Sequence, residues 1–471
     1  MASLSDYLNG IRSSASTLNE QSLVAFFDLE LTQYCSIKQD LQNHPRDLSS
    51  TVLQKLPASS LPLDSDRFQS LVSDFLAYVR DFPPVSSAPS LGGVNGSSQG
   101  WGGASASLDA FNDATDWVKA YEAWAMVYSR ASNVFSMPET SWFIPSLRFF
   151  ATSLVTLATT VDRLMHSAKM PKTTDAAGRL SKSAGLAGND RTPAYGGDTK
   201  RAAVLMLANL SFKAYFKLNN TRLCETVVGS VENAFKINKS SALAVNSEGL
   251  RDDGSGESCF SRADRVTYRY YVGRLRFFQQ SIRVASNHLR WAFDNCTIRQ
   301  MKNKRLILIP LISSYLILGR YPEVLLLRQA SLTHQFEGLV YHLKNGNGFG
   351  AISELDRNCD WFRAHGLYLI LKEKLSVGIW RNLIRKTLVI SRLSAPPSNA
   401  PPTIRLHTLL AAARLSWQDQ GLDVEDVECI VSSLIDQGFI KGYVLHSKAM
   451  LVLQKGNNMG FPPMWQVFEN R

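Results

Sequence analysis

The stretch DVEDVECIVSSLIDQGFIKGYVLHSKAMLVL, residues 423–453, decides the fold of this chain. Asp423 is a good helix N-cap, and Glu425 and Asp426 place negative charge in the first turn. Val427, Ile430, Val431, Leu434 and Ile435 recur at three- and four-residue steps, predicting a helix from Asp423 to Gln437 that Gly438 stops. Phe439 to Leu445 and Ala449 to Leu453 are β-branched or aromatic-rich runs that predict strands, joined by a polar turn at His446-Ser447-Lys448. Helix, strand, wing, strand is the closing half of a winged helix, a module that binds nucleic acid or docks another winged helix.

Upstream of this module the pattern is helical. Periods of helical length run over Leu18–Asp40, Asp66–Phe82, Ala106–Ser132, Pro145–His166, Lys200–Leu218, Arg222–Ile237, Ala263–Gln279 and Ile282–Asn295, with few strand signals before residue 439. Four stretches interrupt them. Pro83–Ser107, Pro171–Asp198 and Ser240–Ser261 have the composition of flexible insertions, and Ser394–Thr403, with four prolines, that of a fixed hinge. Gly273, Ala285, Leu289 and Ala292 fall where tetratricopeptide-like helix pairs place small contact residues. The expected fold is mainly α, an irregular TPR-like α-solenoid capped by a C-terminal winged helix. Its expected parts are an N-terminal helical region 1–82, a linker 83–107, helical repeats 108–261 with disordered insertions near 171–198 and 240–261, helical repeats 262–393, the winged helix 403–456, and a tail 457–471.

At 471 residues and 45% hydrophobic content, the chain can bury ample core without disulfides or metals. Six scattered cysteines without a C-x-x-C pair predict free thiols. The N-terminus lacks the order of a secretory signal, which predicts a cytosolic or nuclear protein. The run Leu306–Leu318 is too short to cross a bilayer, and no membrane span is expected. No phosphate-loop motif occurs, and Gly346, Gly348 and Gly350 follow a helix, predicting a turn between repeats. Cys359 and His365 lack the further partners a metal site needs, so neither enzyme activity nor a cofactor is expected.

Net charge is +11, and its placement is uneven. Residues 263–392 hold 21 Lys or Arg against 8 Asp or Glu, a local +13, so the rest of the chain sums to −2. These cations alternate with apolar residues along helical periods, predicting a folded basic surface that faces nucleic acid or an acidic partner. Lys302, Lys304 and Arg305 open one helix; Arg381, Arg385 and Lys386, with Arg392 following, form a face on another; Lys441, Lys448 and Lys455 extend the patch into the winged helix. A solvated helix surface is the other reading of any single lysine. The acidic helix Asp423–Gln437 would repel a DNA groove, which argues against major-groove recognition by that helix.

Tyr270-Tyr271-Val272-Gly273-Arg274, Ala285 to Ala292, and Lys302-Asn303-Lys304-Arg305-Leu306-Ile307-Leu308 through Pro310-Leu311-Ile312 to Leu318-Gly319-Arg320-Tyr321-Pro322 resemble the core of PCI-domain proteins. Arg381-Asn382-Leu383, Val427-Glu428-Cys429-Ile430 and Gly438-Phe439-Ile440-Lys441-Gly442-Tyr443, with Trp142 and Pro145 upstream, narrow the resemblance. They resemble the mRNA-export PCI subunit of the second transcription-export (TREX) complex and its signalosome-associated relatives. The resemblance covers about residues 110–455, departing at Ile317 and in the Pro171–Asp198 insertion. It implies a non-catalytic hetero-oligomeric subunit. Its partners would be a large GANP-type scaffold subunit with its own PCI-like region, a small acidic peptide of the DSS or Sem type, and RNA or DNA, at the nuclear pore and also in the cytoplasm.

Trp361, Phe362, Arg363, Tyr368, Lys372, Lys374 and Trp380 mix rings with cations in a way that suits an acidic peptide carrying aromatics, ordinary solenoid core being the other reading. Phe439, Tyr443, Leu451 and Leu453 are expected to give the apolar surface that pairs with a second PCI subunit. The favoured function is RNA binding in mRNA export. The alternative is a protein-only adaptor of a signalosome- or proteasome-lid-like assembly.

Overall fold

The computed structural model describes residues 4–45, 48–57, 65–88, 116–192, 199–244, 256–257, 260–393, 401–456 and 458–469. The chain is mainly α and divides into two compact units, residues 1–268 and 269–471.

In the first unit, α1 (Leu4–Ser16), α2 (Glu20–Phe27), α3 (Leu31–Gln42), α4 (Ser49–Lys55) and α5 (Ser65–Asp81) precede α6 (Trp117–Ser136), α7 (Ile144–Leu164), α8 (Pro171–Gly188), α9 (Val204–Lys217) and α10 (Arg222–Ala244). Consecutive helices from α5 to α10 pack on one another. The helix expected over Leu18–Asp40 is broken at 28–30 into α2 and α3, and Asn19 caps the start of α2 by accepting from the Ser22 N–H. Phe27, Phe75, Trp124 and Phe150 interlock, with ring centroids 4.9–6.2 Å apart, and all four are buried. One helical segment, Ser141–Leu164, is long and apolar enough to cross a membrane by length and composition alone. Its buried residues Leu147, Phe150, Leu154, Ala158 and Val161 follow the helical repeat, the pattern of a helix packed in a protein core.

The expectation of a disordered insertion at 171–198 is overturned for its first 18 residues, which form α8. Its Ala, Ser and Gly content is a packing face: Thr173, Ala176, Ala177, Leu180, Ala184 and Ala187 recur on one side and are buried. Alanine is the best helix former, and small side chains let backbones approach closely; a Cβ on Gly188 would lie 2.9 Å from the Ser230 carbonyl oxygen. The start of α8 is held from outside, because the buried Asp162 of α7 accepts from the backbone N–H of Lys172 (3.1 Å) and of Thr173 (2.7 Å). Asp162→Ala is therefore expected to cost about 2 kcal/mol. Urea denaturation of the chain checks this, an unchanged midpoint counting against the cap. Of the other interruptions, 83–88 include a 3-10 turn at Val85–Ser87 and α10 extends to Ala244. Residues 89–115, 193–198, 245–255 and 258–259, and 394–400 of the expected hinge, lie outside the described residues.

The unit division falls inside α11 (Arg262–Phe278). There follow α12 (Ile282–Asn295), α13 (Met301–Ile317), α14 (Val324–Gln329), α15 (Thr333–Asn345), α16 (Gly348–Arg357), α17 (Cys359–Ala364) and the long α18 (Tyr368–Leu393). The small-residue code packs α11 on α12: a Cβ on Gly273 would sit 2.6 Å from the Leu289 side chain. Helix α13 buries Ile307 to Ser314 without a polar side, and around Pro310 the hydroxyls of Ser313 and Ser314 donate to the carbonyls of Ile309 and Pro310. The glycine run is a turn between repeats, as expected: Gly346 closes α15 at φ +65°, and Asn347 caps α16 by accepting from the Gly350 N–H at 2.9 Å.

The winged helix comprises β1 (Thr403–Arg405), α19 (Leu406–Trp417), α20 (Val424–Asp436), β2 (Gly442–Leu445) and β3 (Met450–Leu453). The sheet order is β1-β3-β2, antiparallel throughout, with Ile404 opposite Leu451 and Val444 opposite Leu451 on the two sides of the central strand. Asp423 caps α20 in a reciprocal box with Asp426. Strand β1 was not expected; it is three residues long, lies against prolines, and buries only Ile404.

Two expected boundaries in this unit do not separate cores. Leu383, Ile384 and Leu388 of α18 share one hydrophobic cluster with Leu406, Leu409, Val427, Val431, Leu434 and Leu451. The expected tail forms α21 (Met464–Glu469), and Phe461, Met464 and Val467 join the same cluster. Met464 also packs on Gly319, which has φ +75° and where a Cβ would lie 2.8 Å from the methionine sulfur.

Candidate nucleic-acid interface

The basic residues that the sequence joined into one surface differ in burial and in partners. On α18, Arg381 lies one turn from Arg385, yet the two environments differ: Arg381 is 7% exposed while Arg385 and Lys386 are exposed. Arg381 donates from Nη2 to the Pro462 carbonyl at 2.6 Å and from Nη1 to Asn382 Oδ1, with its guanidinium 5.7 Å from the Phe461 ring centroid. Burial, reinforced by the neighbouring Arg385, pushes its pKa down to about 10, so it stays charged at neutral pH. Arg381 holds the C-terminal segment on α18 and is removed from the phosphate-binding set. Lys386 donates to Asn345 Oδ1 at 2.8 Å, placing a cation at the C-terminal end of α15, where the helix dipole favours it.

Of the three cations at the start of α13, Lys302 is exposed while Lys304 and Arg305 are half-buried. Lys304 donates to the Cys296 carbonyl and sits 4.8 Å from the Phe293 centroid. Arg305 donates to the carbonyls of Ala330 (2.9 Å) and Ser331 (3.4 Å), tying α13 to the loop after α14. Both already serve the fold.

The winged helix and the C-terminal end of α18 bring three exposed cations to one end of the sheet. The Lys441 N–H donates to the Gly460 carbonyl, its own carbonyl accepts from the Gln454 N–H, and Arg392 donates to the sulfur of Met459. Arg392 and Lys441 thus lie against residues that follow β3, where Lys455 also falls, at the open end of the hairpin, and all three are exposed. Lys448 stands at the wing tip, about 13 Å away along four-residue strands. At the wing His446 meets Glu428 of α20 at 3.0 Å.

The expected subunit-pairing set is corrected. Phe439 (2% exposed), Leu451 (0%) and Leu453 (2%) belong to the hydrophobic cluster of the winged helix itself; of the four, only Tyr443, 58% exposed on the edge strand β2, is available to a partner. The acidic-peptide set is divided too. Phe362 is fully buried, Trp361 packs on His365 (4.2 Å) and Phe336, and Trp380 stacks on Trp417 at 5.3 Å beside the winged-helix core. Tyr368 is nearly buried and donates to Asp356, with Arg363 and Lys372 over its ring at 5.2 and 5.3 Å. Lys374 is half-buried. Phe362 and Tyr368 are thus core residues, while Trp361 and Trp380 are half-buried.

Sequence reasoning missed a group that the C-terminal helix completes. Arg320 lies 5.8 Å from the Tyr315 centroid and 5.3 Å from that of Trp465, beside Arg290 and Trp291 of α12. The signal was present in Trp465, which reading 457–471 as a tail set aside.

A mainly α chain whose helical repeats share a core with a winged helix is the class this geometry defines. No family model matches the chain. It is 37% identical over 265 residues to a PCI domain-containing protein of Schizosaccharomyces pombe, covering 56% of this chain and 55% of that protein. It is 31% identical over 268 residues to PCI domain-containing protein 2 of Xenopus laevis (57% and 59%), and 32% identical over 298 residues to Enhanced ethylene response protein 5 of Arabidopsis thaliana (62% and 63%). The chain spans less than two thirds of the length of these relatives. The names of the first two support a PCI-domain protein, and none of the three is named as an enzyme.

Proposed function

We propose that this chain is a non-catalytic scaffold subunit of a nuclear-pore-associated mRNA-export complex that resembles the second TREX complex. It binds RNA or DNA through a basic composite surface formed with a second PCI subunit. The observation that carries the reading is the convergence of Arg392, Lys441 and Lys455 at one end of the winged-helix sheet, with Lys448 at the wing. Exposed point charges and backbone amides neutralise phosphates without selecting bases. Helix α20 carries Glu425, Asp426, Glu428 and Asp436, so its surface repels a phosphate-lined groove and leaves the sheet end as the contact. Nuclear localisation, the large scaffold subunit and the small acidic peptide belong to the same proposal.

The test is binding of a fluorescent oligo-uridine. Reversing Arg392, Lys441 and Lys455 together to Glu should weaken affinity at least tenfold at low salt, with helical circular dichroism unchanged. Wild-type affinity in the triple variant would favour the protein-only adaptor. One observation speaks for that second reading: Tyr443 is exposed on an unpaired sheet edge, which suits docking of another winged helix.

A further inference from the structure

Between α12, the end of α13 and α21 lies a cavity of about 360 Å³ whose wall includes Arg283, Arg290, Trp291, Tyr315, Arg320 and Trp465. Three arginines and one carboxylate, Asp294, line it, and Asp294 pairs with Arg290 at 2.6 Å. Trp291, Tyr315 and Trp465 are each half-buried, offering part of a ring to the cavity while their other atoms pack in the fold. Arg320 lies over two of these rings and Arg269 over the third, Trp291, at 5.3 Å, so each ring has one face met by a guanidinium and a base would stack on the opposite face. The volume falls in the range of small-ligand pockets, roughly 300–1,000 Å³.

We infer that this cavity takes one nucleotide of a single strand, its base stacked on the exposed ring surfaces and its phosphate met by the arginines. Aromatic faces accept any base, and the planar guanidinium matches phosphate bidentately, so the combination suits a single strand in a way that lysines on an open surface do not. The inference rests on the nucleic-acid reading above and adds a base-dependent subsite to its phosphate contacts. It also gives the C-terminal helix a role, since Trp465 lines the cavity next to Met464, which packs on Gly319.

The experiment compares oligo-uridine with an abasic ribose-phosphate oligomer of equal length on the full chain, and maps contacts by 4-thiouridine photocrosslinking. The wild type should prefer the base-bearing strand roughly tenfold, Trp465→Ala should abolish that preference, and Arg290→Gln should weaken both strands. Crosslinks should fall on Trp465, Tyr315 or Trp291. Because Trp465→Ala could loosen α21, the exposed Arg290→Gln and the wild-type crosslinks stand as independent readouts. If the wild type binds both strands equally and crosslinks only at the winged helix, the subsite is overturned while the nucleic-acid reading stands. No oligo-uridine binding at all overturns both. Binding of an acidic, tryptophan-bearing peptide that depends on Trp465 while oligo-uridine binding does not would assign the cavity to a protein ligand and overturn the inference.

Discussion

Leu451→Asp is expected to unfold the winged helix. Leu451 is fully buried on the central strand, opposite both Ile404 and Val444 and inside the cluster that joins α18, α19, α20 and α21. A carboxylate there has no partner in an apolar site, and the substitution also removes a leucine side chain from the core; together these cost more than about 4 kcal/mol. A thermal melt followed by circular dichroism should show an early transition for Leu451→Asp, and Tyr443→Asp should melt as the wild type does. A wild-type melt for Leu451→Asp would mean that β3 does not face the cluster. The contrast separates stability from pairing: only at Tyr443 can loss of a partner be attributed to a lost contact surface.

Arg381→Glu should be nearly as damaging, at about 3–5 kcal/mol, because it removes the donor to Pro462 and sets a buried carboxylate against that carbonyl and the Phe461 ring. Arg385→Glu, one turn along the same helix and exposed, should stay within about 0.5 kcal/mol of wild type. Denaturant midpoints of the two variants decide this, equal midpoints counting against an anchoring role for Arg381. If Arg381→Glu also weakens RNA binding, the cause is loss of the C-terminal segment, which limited proteolysis after residue 456 would reveal.

The elements with strong periodicity were legible in the sequence. Helix α12 falls on the expected residues, and the capped α20 and the wing strands agree with the reading of 423–453 to within a few residues. Gly273 and the Gly346–Gly350 turn were legible because close approach and a positive φ demand glycine. What failed was the inference of disorder from composition. The Ala, Ser and Gly of α8 serve tight helix packing, and its buried positions repeat with the helical period that would have revealed it. The sites were less legible than the fold, since helical spacing places Arg381 and Arg385 on one face without distinguishing the buried edge of that face from the exposed one. Charge alone likewise could not separate Lys304 and Arg305, which cap carbonyls within the fold, from Arg392, Lys441 and Lys455.

The central claim is phosphate neutralisation at the open end of the winged-helix sheet, and its most direct test is the salt dependence of oligo-uridine binding. Each phosphate neutralised on a single strand contributes a slope of about −0.7 to log K against log salt. If Arg392, Lys441 and Lys455 each meet a phosphate, the wild-type slope should be steeper than that of the triple Glu variant by about 2, with the loss independent of base sequence. Equal slopes for the wild type and the variant would contradict the claim and leave these cations as a solvated surface.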